Sequence, residues 1–149
     1  MNAITSPATK FREFRERASL SPDEVAKRFD PLISSACIWD IESRDDELSS
    51  CYTPREVQRF SSILGVRPIE LFGGEITEPT ISAVELVQLI REQCRLRCVT
   101  LDQFENAVGW RLSECIDPPE RLLESITIDG VQWLCRELGV DWKRVILGL

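Results

Sequence analysis

Apolar residues recur at helical spacing in short blocks along the chain, and most blocks follow residues typical of a helix N-terminus. Residues 21–24 (Ser-Pro-Asp-Glu) combine an N-cap, a proline at the first helical position and a glutamate that reaches back to the cap. Residues 53–56 (Thr-Pro-Arg-Glu) repeat this pattern, and Gly65 ends the helix that follows. The apolar positions of these two helices are Val25, Ala26, Phe29, Val57, Phe60 and Leu64. The pattern predicts an all-α chain.

A further short helix is predicted over residues 34–42, after a turn at Asp30-Pro31 that a helix cannot cross. Ile38 and Ile41 then face the interior. The side chains expected to point outward are Ala36, Trp39 and Asp40. An earlier helix is predicted from residue 10, behind a loose polar tail, and residues 66–73 close the unit.

The order of these elements resembles the Cro/CI-type (XRE-like) helix-turn-helix family. The residues that carry the resemblance are 14–21, 24–26, Ile38 with 41–43, and 64–66 with 69–73. The resemblance implies a lambda-repressor-like helical bundle whose second motif helix, residues 34–42, lies in the major groove of DNA. Asp30 stands where the family usually has a glycine, one extra residue precedes the recognition helix, and no glycine stands near Arg44.

The pattern of the first half returns after residues 73–80, which read as a linker because they hold two glycines and a proline. Residues 21–25 match 100–104, and residues 64–66 match 138–140. The first pair is 79 residues apart and the second 74, so the second copy has lost about five residues around the recognition helix. Two prolines at 118–119 shorten that helix further. We predict a tandem pseudo-repeat of two five-helix-like units, residues 1–74 and a degenerate copy over 75–149.

Length and composition suit one globular domain or two very small ones, since the chain has 149 residues of which 43% are hydrophobic. No apolar run approaches the ~20 residues that cross a bilayer. Residues 1–10 also lack the apolar centre of a secretory signal. We expect a cytoplasmic protein with no membrane contact, whose halves pack together because each core is marginal by itself.

The chain has six cysteines and no histidine. In a reducing compartment we interpret the cysteines as small buried apolar residues; three disulfides are the alternative. Cys94 and Cys98 share a helix face and hold a metal only if two more ligands arrive from elsewhere. The absence of histidine removes the commonest general base and metal ligand. We therefore expect no enzyme, no cofactor and no metal.

Candidate DNA contacts follow from the resemblance. Phosphate contacts are assigned to five cations around the motif: Lys27, Arg28, Arg44, Arg55 and Arg59. Ser34 and Ser35 offer hydroxyls and helix-start amides, and Cys37 and Trp39 lie on the recognition helix. That helix has no outward Arg, Asn or Gln, so base discrimination is expected to be weak. On the first helix, the cations Lys10, Arg12 and Arg15 either face phosphates or form a solvated face with Glu13 and Glu16.

The tryptophans divide into two groups. Trp39 points away from the predicted core, and it either covers the core edge, anchors a protein interface or contacts DNA. The other three follow the apolar pattern of the second half and are expected in its core: Trp110, Trp133 and Trp142.

Two functions remain open on the sequence. The first, implied by the resemblance, is a DNA-binding transcriptional regulator that binds a two-fold operator on double-stranded DNA as a homodimer. The second is a protein-binding module of the antitoxin or immunity type, with an acidic surface against a basic toxin. The isoelectric point near 4.7 and the acidic run Asp45, Asp46 and Glu47, in a predicted loop over residues 44–52, favour the second. Residues 1–74 hold 10 basic and 12 acidic side chains, and residues 75–149 hold 8 and 13.

Overall fold

The computed structural model describes residues 6–73, the N-terminal half, together with residues 79–147 and 149, the C-terminal half. Within these residues the structure is all-helical and has no strand, which confirms the predicted fold class. The helices of the N-terminal half are α1 (Pro7–Arg17), α2 (Pro22–Arg28), α3 (Ser35–Ser43), α4 (Glu47–Cys51), α5 (Pro54–Leu64) and α6 (Pro68–Leu71). Those of the C-terminal half are α7 (Ala83–Arg97), α8 (Leu101–Val108), a 3-10 helix (Leu112–Glu114), α9 (Glu120–Ser125), α10 (Ile128–Leu138) and α11 (Lys143–Leu147).

Side-chain caps set the helix starts, as the sequence predicts. The Thr53 hydroxyl accepts from the Glu56 amide at 3.3 Å, and the Glu56 carboxylate accepts from the Thr53 amide at 3.0 Å. Ser21 and Thr100 form the same reciprocal capping box at α2 and α8. Gly65 ends α5 at φ +72°, a backbone angle that glycine adopts without the steric cost of a side chain.

The core of the N-terminal half is centred on Phe60 of α5. Its ring contacts Phe11 edge-on at 5.4 Å between centroids, Phe29 at 4.4 Å and Tyr52 edge-on at 5.2 Å. The fully buried residues around these rings include Val25, Ile38, Ile41, Leu48 and Val57. Aromatic pairs of this geometry add to the free energy gained from burial, so α1, α2, α3 and α5 are packed around one ring cluster.

The two halves share buried apolar surface. Helix α4 packs against α10, α5 against α9, and α6 against α11. Ile128 and Ile146 come from the C-terminal half but are fully buried in the core of the N-terminal half. The Ile128 amide donates to the Tyr52 carbonyl oxygen at 3.0 Å, and the rings of Phe72 and Trp142 meet edge-on at 5.4 Å. The halves therefore pack together, as their small size predicts.

Several predictions about local structure are wrong. Residues 47–51 form α4, not part of a loop, because Leu48 is buried and draws the segment onto the core. Six helices are therefore described before residue 74, where five-helix-like units were predicted. Helix α1 starts at Pro7 behind a Ser6 cap, so the tail does not extend to residue 9. Residues 1–5 of that tail and 74–78 of the linker lie outside the described residues.

Exposure of individual side chains also differs from expectation. Trp133 is 52% exposed, with the Arg136 guanidinium over its ring at 4.7 Å, so it is not a core residue. Trp110 and Trp142 are half-buried. All six cysteines are unbridged, but Cys51 and Cys98 are exposed. No described helix is both long and apolar enough to span a membrane.

Candidate nucleic-acid interface

Helix α3 is held on its inner side by the N-terminal half. It begins at the Ser34 cap, whose hydroxyl accepts from the Ala36 amide at 3.2 Å. Ile38 and Ile41 have no exposed surface, and α1, α2 and α4 pack against α3. The inner face of α3 is therefore fixed by apolar contacts, as predicted.

A buried ion pair also fixes α3. The Arg15 guanidinium of α1 donates two hydrogen bonds to the Glu42 carboxylate of α3. Nε donates to Oε1, and Nη2 donates to Oε2 at 3.2 Å. Its Nη1 donates to the Leu20 carbonyl oxygen at 2.9 Å. The two side chains are only 10% and 5% exposed. Arg15 is thus a structural contact, and the interpretation that it faces phosphates is wrong.

The outer face of α3 is open. Trp39 is 58% exposed, and Leu32, just ahead of the helix, is 72% exposed. The other exposed side chains on this face are Ala36, Asp40 and Ser43. Ser35 and Cys37 are half-buried. The predicted outward set is confirmed, and more than half of the Trp39 surface is open to solvent.

We call four cations on α2 and α5 the basic face: Lys27, Arg28, Arg55 and Arg59. Lys27 and Arg28 end α2, which packs on α5, while Arg55 and Arg59 lie one turn apart on α5. The Arg59 guanidinium lies 6.0 Å from the ring centroid of Phe29, which follows α2 directly. Within the described residues, no carboxylate lies within salt-bridge distance of the three arginines.

The lysine of this face is partly neutralised. Lys27 Nζ lies 2.9 Å from the Asp23 carboxylate one turn earlier, and the hydrogen bond and charge of Asp23 raise the pKa of Lys27. Arg55 donates to the neutral Gln58 amide oxygen at 2.9 Å and keeps its charge uncompensated. The arginines are therefore the stronger candidates for phosphate contact.

At the other end of α3 the surface is acidic. The Arg44 guanidinium lies 3.5 Å from Asp40 and 3.2 Å from Glu47, so two carboxylates already hold it. Asp45 and Asp46 are exposed beside it. We call these four acids, Asp40, Asp45, Asp46 and Glu47, the acidic corner. A phosphate approaching Arg44 would meet their net negative charge.

A cleft of about 510 Å³ opens in the C-terminal half, where α8 and α10 meet the end of α4. Its lining includes Asn106, Trp110, Asp129 and Trp133. The Trp110 indole rests on the backbone of α10 at Gly130, where an added Cβ would lie 2.7 Å from the ring. Among the described residues, no three metal-ligating side chains gather here or elsewhere.

The sequence carried two signals that single-residue interpretation missed. Arg15 follows Phe11 by four residues, and Glu42 follows Ile38 by four, so both charges lie on inward helix faces. Opposite charges at two such positions are typical of a buried ion pair.

Comparisons of the chain with family models, with curated proteins and with solved structures found no match.

Proposed function

We propose that the chain is a DNA-binding transcriptional regulator of the Cro/CI helix-turn-helix type. In this proposal α2 and α3 form the motif, and α3 enters the major groove. The observation that carries it is the placement of α3. Its inner face is fixed by Ile38, Ile41 and the Arg15–Glu42 ion pair, while its outer face is open to a duplex.

The basic face supplies the affinity. Cations that replace counterions on phosphates provide most of the binding free energy of such complexes. Arg28, Arg55 and Arg59 carry charges that no described carboxylate neutralises. Base discrimination comes from a small set of contacts, with Ala36 and Trp39 suited to thymine methyl groups. We therefore expect strongly salt-dependent binding with modest sequence preference.

Selection from a pool of genomic fragments at low salt, followed by sequencing, tests the proposal. Enrichment of a defined sequence is expected, whereas a recovered pool identical to the input contradicts it. Arg55→Ala and Arg59→Ala should each weaken binding to all sequences and reduce the salt slope by about one. Arg121→Ala is the matched control, because Arg121 is exposed in the C-terminal half. The Arg121→Ala variant should have the DNA affinity and the salt slope of the wild type.

The acidic corner favours a second candidate function, a protein-binding module of the antitoxin or immunity type. Asp45 and Asp46 are exposed just beyond the end of α3, and α3 itself carries the exposed Trp39. Such a surface suits a basic protein partner.

One variant separates the two functions. The change Asp45→Asn/Asp46→Asn removes two exposed negative charges. If the chain binds DNA, the variant should bind more tightly, since repulsion of phosphates falls. If the chain binds a basic protein, a pull-down from the native host should recover that partner with the wild type and lose it with the variant. Unchanged DNA affinity together with a lost partner would favour the second function.

A further inference from the structure

The two halves repeat unusual backbone features in register. Within the described part of the chain, the non-glycine residues with left-handed backbone are Ser19 at φ +57° and Cys98 at φ +54°, which lie 79 residues apart. Their amides donate to the carbonyl oxygens of Glu16 and Arg95, which are also 79 apart. Left-handed backbone at a side-chain-bearing residue is uncommon. Two such residues at one separation, in equivalent turns, indicate the same local structure.

The helix C-termini repeat at the second separation. Gly65 and Gly139 both end their helices at φ +72° and lie 74 residues apart. The amides of the residues that follow, Val66 and Val140, donate to carbonyl oxygens five residues back, each at 3.0 Å. The order of helices agrees as well, with α1 to α6 matched in turn by α7, α8, the 3-10 helix, α9, α10 and α11.

We infer that the halves form an internal pseudo-dimer, so that one chain takes the place of two copies. In the correspondence given above, α9 is the counterpart of α4, and α10 is the counterpart of α5. Exchanging the two halves therefore turns the α4–α10 contact into the α9–α5 contact, and the structure has both. The α6–α11 contact maps onto itself under the same exchange. A two-fold interface has this property, since residue i contacts j and j contacts i.

One backbone hydrogen bond across the interface has no symmetric counterpart. The amide of Ile128 donates to the carbonyl of Tyr52, and the counterpart bond would run from residue 54 to residue 126. Residue 54 is a proline and has no N–H to donate. The interface is therefore pseudo-symmetric and joins unequal halves.

The two halves also differ at the surface proposed to bind DNA. The counterpart of α3 is the three-residue 3-10 helix Leu112–Glu114, too short to lie in a groove. The counterparts of the basic face, at separations of 79 and 74, are Asn106, Ala107, Asp129 and Trp133. All four line the cleft of the C-terminal half, where they supply no cation and one carboxylate.

The consequence for DNA rests on the function proposed above. The faces of α4, α5 and α6 that pack against the C-terminal half are already covered, so a second chain cannot pair through them. Among the described residues, only the N-terminal half combines a helix in the position of α3 with the four cations of the basic face. One chain therefore binds one half-site as a monomer, and its preferred sequence lacks two-fold symmetry.

Light scattering after size exclusion tests this, on the full chain alone and with a short duplex from the selected fragments. The expected mass of the free protein is 17.0 kDa, with one chain per duplex and no two-fold repeat in the selected sequences. Arg59→Ala should weaken binding, while Arg136→Ala, beside Trp133 on the other half, should leave it unchanged.

The outcomes separate the two proposals. A free dimer, or two chains on a two-fold sequence, overturns the internal pseudo-dimer and leaves DNA binding standing. A monomer that binds no duplex overturns the proposed function and the half-site assignment with it. Equal losses from Arg59→Ala and Arg136→Ala would overturn the assignment of DNA contact to one half.

Discussion

The Arg15–Glu42 ion pair is the contact whose removal should disturb α3 most. In Arg15→Met the apolar stem is retained, but the Glu42 carboxylate, 5% exposed, loses its cation. The Leu20 carbonyl oxygen loses the donor at 2.9 Å as well. Because water cannot replace these partners at a buried site, the variant leaves an uncompensated charge between α1 and α3.

The expected cost is about 3–5 kcal/mol of unfolding free energy, the range found when one partner of a buried pair is removed. This is a large share of the ~5–15 kcal/mol that stabilises a typical domain. Arg12→Met, on the same helix, is the matched control, because the Arg12–Glu16 pair is 64% and 57% exposed. An exposed pair contributes less than about 1 kcal/mol.

Urea unfolding followed by circular dichroism measures both variants. The double variant Arg15→Met/Glu42→Met should recover at least about 2 kcal/mol of the loss, since two apolar side chains replace the stranded charge. If Arg15→Met costs no more than Arg12→Met, the ion pair does not hold α3. If the double variant is less stable than Arg15→Met, the stranded charge is not the cause of the loss.

Three further predictions concern the packing described above. Iodoacetamide should label the exposed Cys98 quickly and the buried Cys135 only on unfolding. The thiolate is the nucleophile, and burial raises the pKa of Cys135 to about 12. Equal labelling rates of the two cysteines by mass spectrometry would contradict this. Gly130→Ala should lower the melting temperature and cost about 1–3 kcal/mol of unfolding free energy, because the added Cβ would meet the Trp110 ring. Glycine-to-alanine changes in a helix usually stabilise by up to about 1 kcal/mol. Such a gain here would show that the Trp110 ring does not approach the backbone closely. Ile146→Ala should cost about 2–5 kcal/mol of unfolding free energy, since Ile146 fills the core of the N-terminal half. Fluorescence and circular dichroism should still report one unfolding transition for this variant. Two separate transitions would show that the halves unfold independently.

The helix starts and the inner face of α3 could be predicted because their causes are local. A hydroxyl at an N-cap reaches an amide three residues away, as Thr53 does with Glu56. Ile38 and Ile41 lie on one face by helical spacing alone. Such features need no knowledge of what packs against them.

The features that escaped prediction depend on the rest of the fold. The resemblance implies a loop between the recognition helix and the Thr53 cap, yet burial of Leu48 under α3 and α1 makes residues 47–51 helical. Trp133 has the apolar character of a core residue, but α10 uses its neighbour Leu134 for the core and turns Trp133 to solvent. The charge of Arg15 alone predicts a surface position, whereas Glu42 on another helix makes it part of a buried ion pair.

In the proposed complex, DNA contacts α3 and the basic face of the N-terminal half, and the C-terminal half does not touch the duplex. The four tryptophans report on this directly, since Trp39 lies on α3 and the other three lie in the C-terminal half. Indole N–H signals from ¹⁵N-labelled protein should be recorded while a selected duplex is added. We expect the Trp39 signal to shift with saturation and the signals of Trp110, Trp133 and Trp142 to stay in place. Binding that leaves Trp39 unmoved, or that shifts Trp133 instead, would contradict the account.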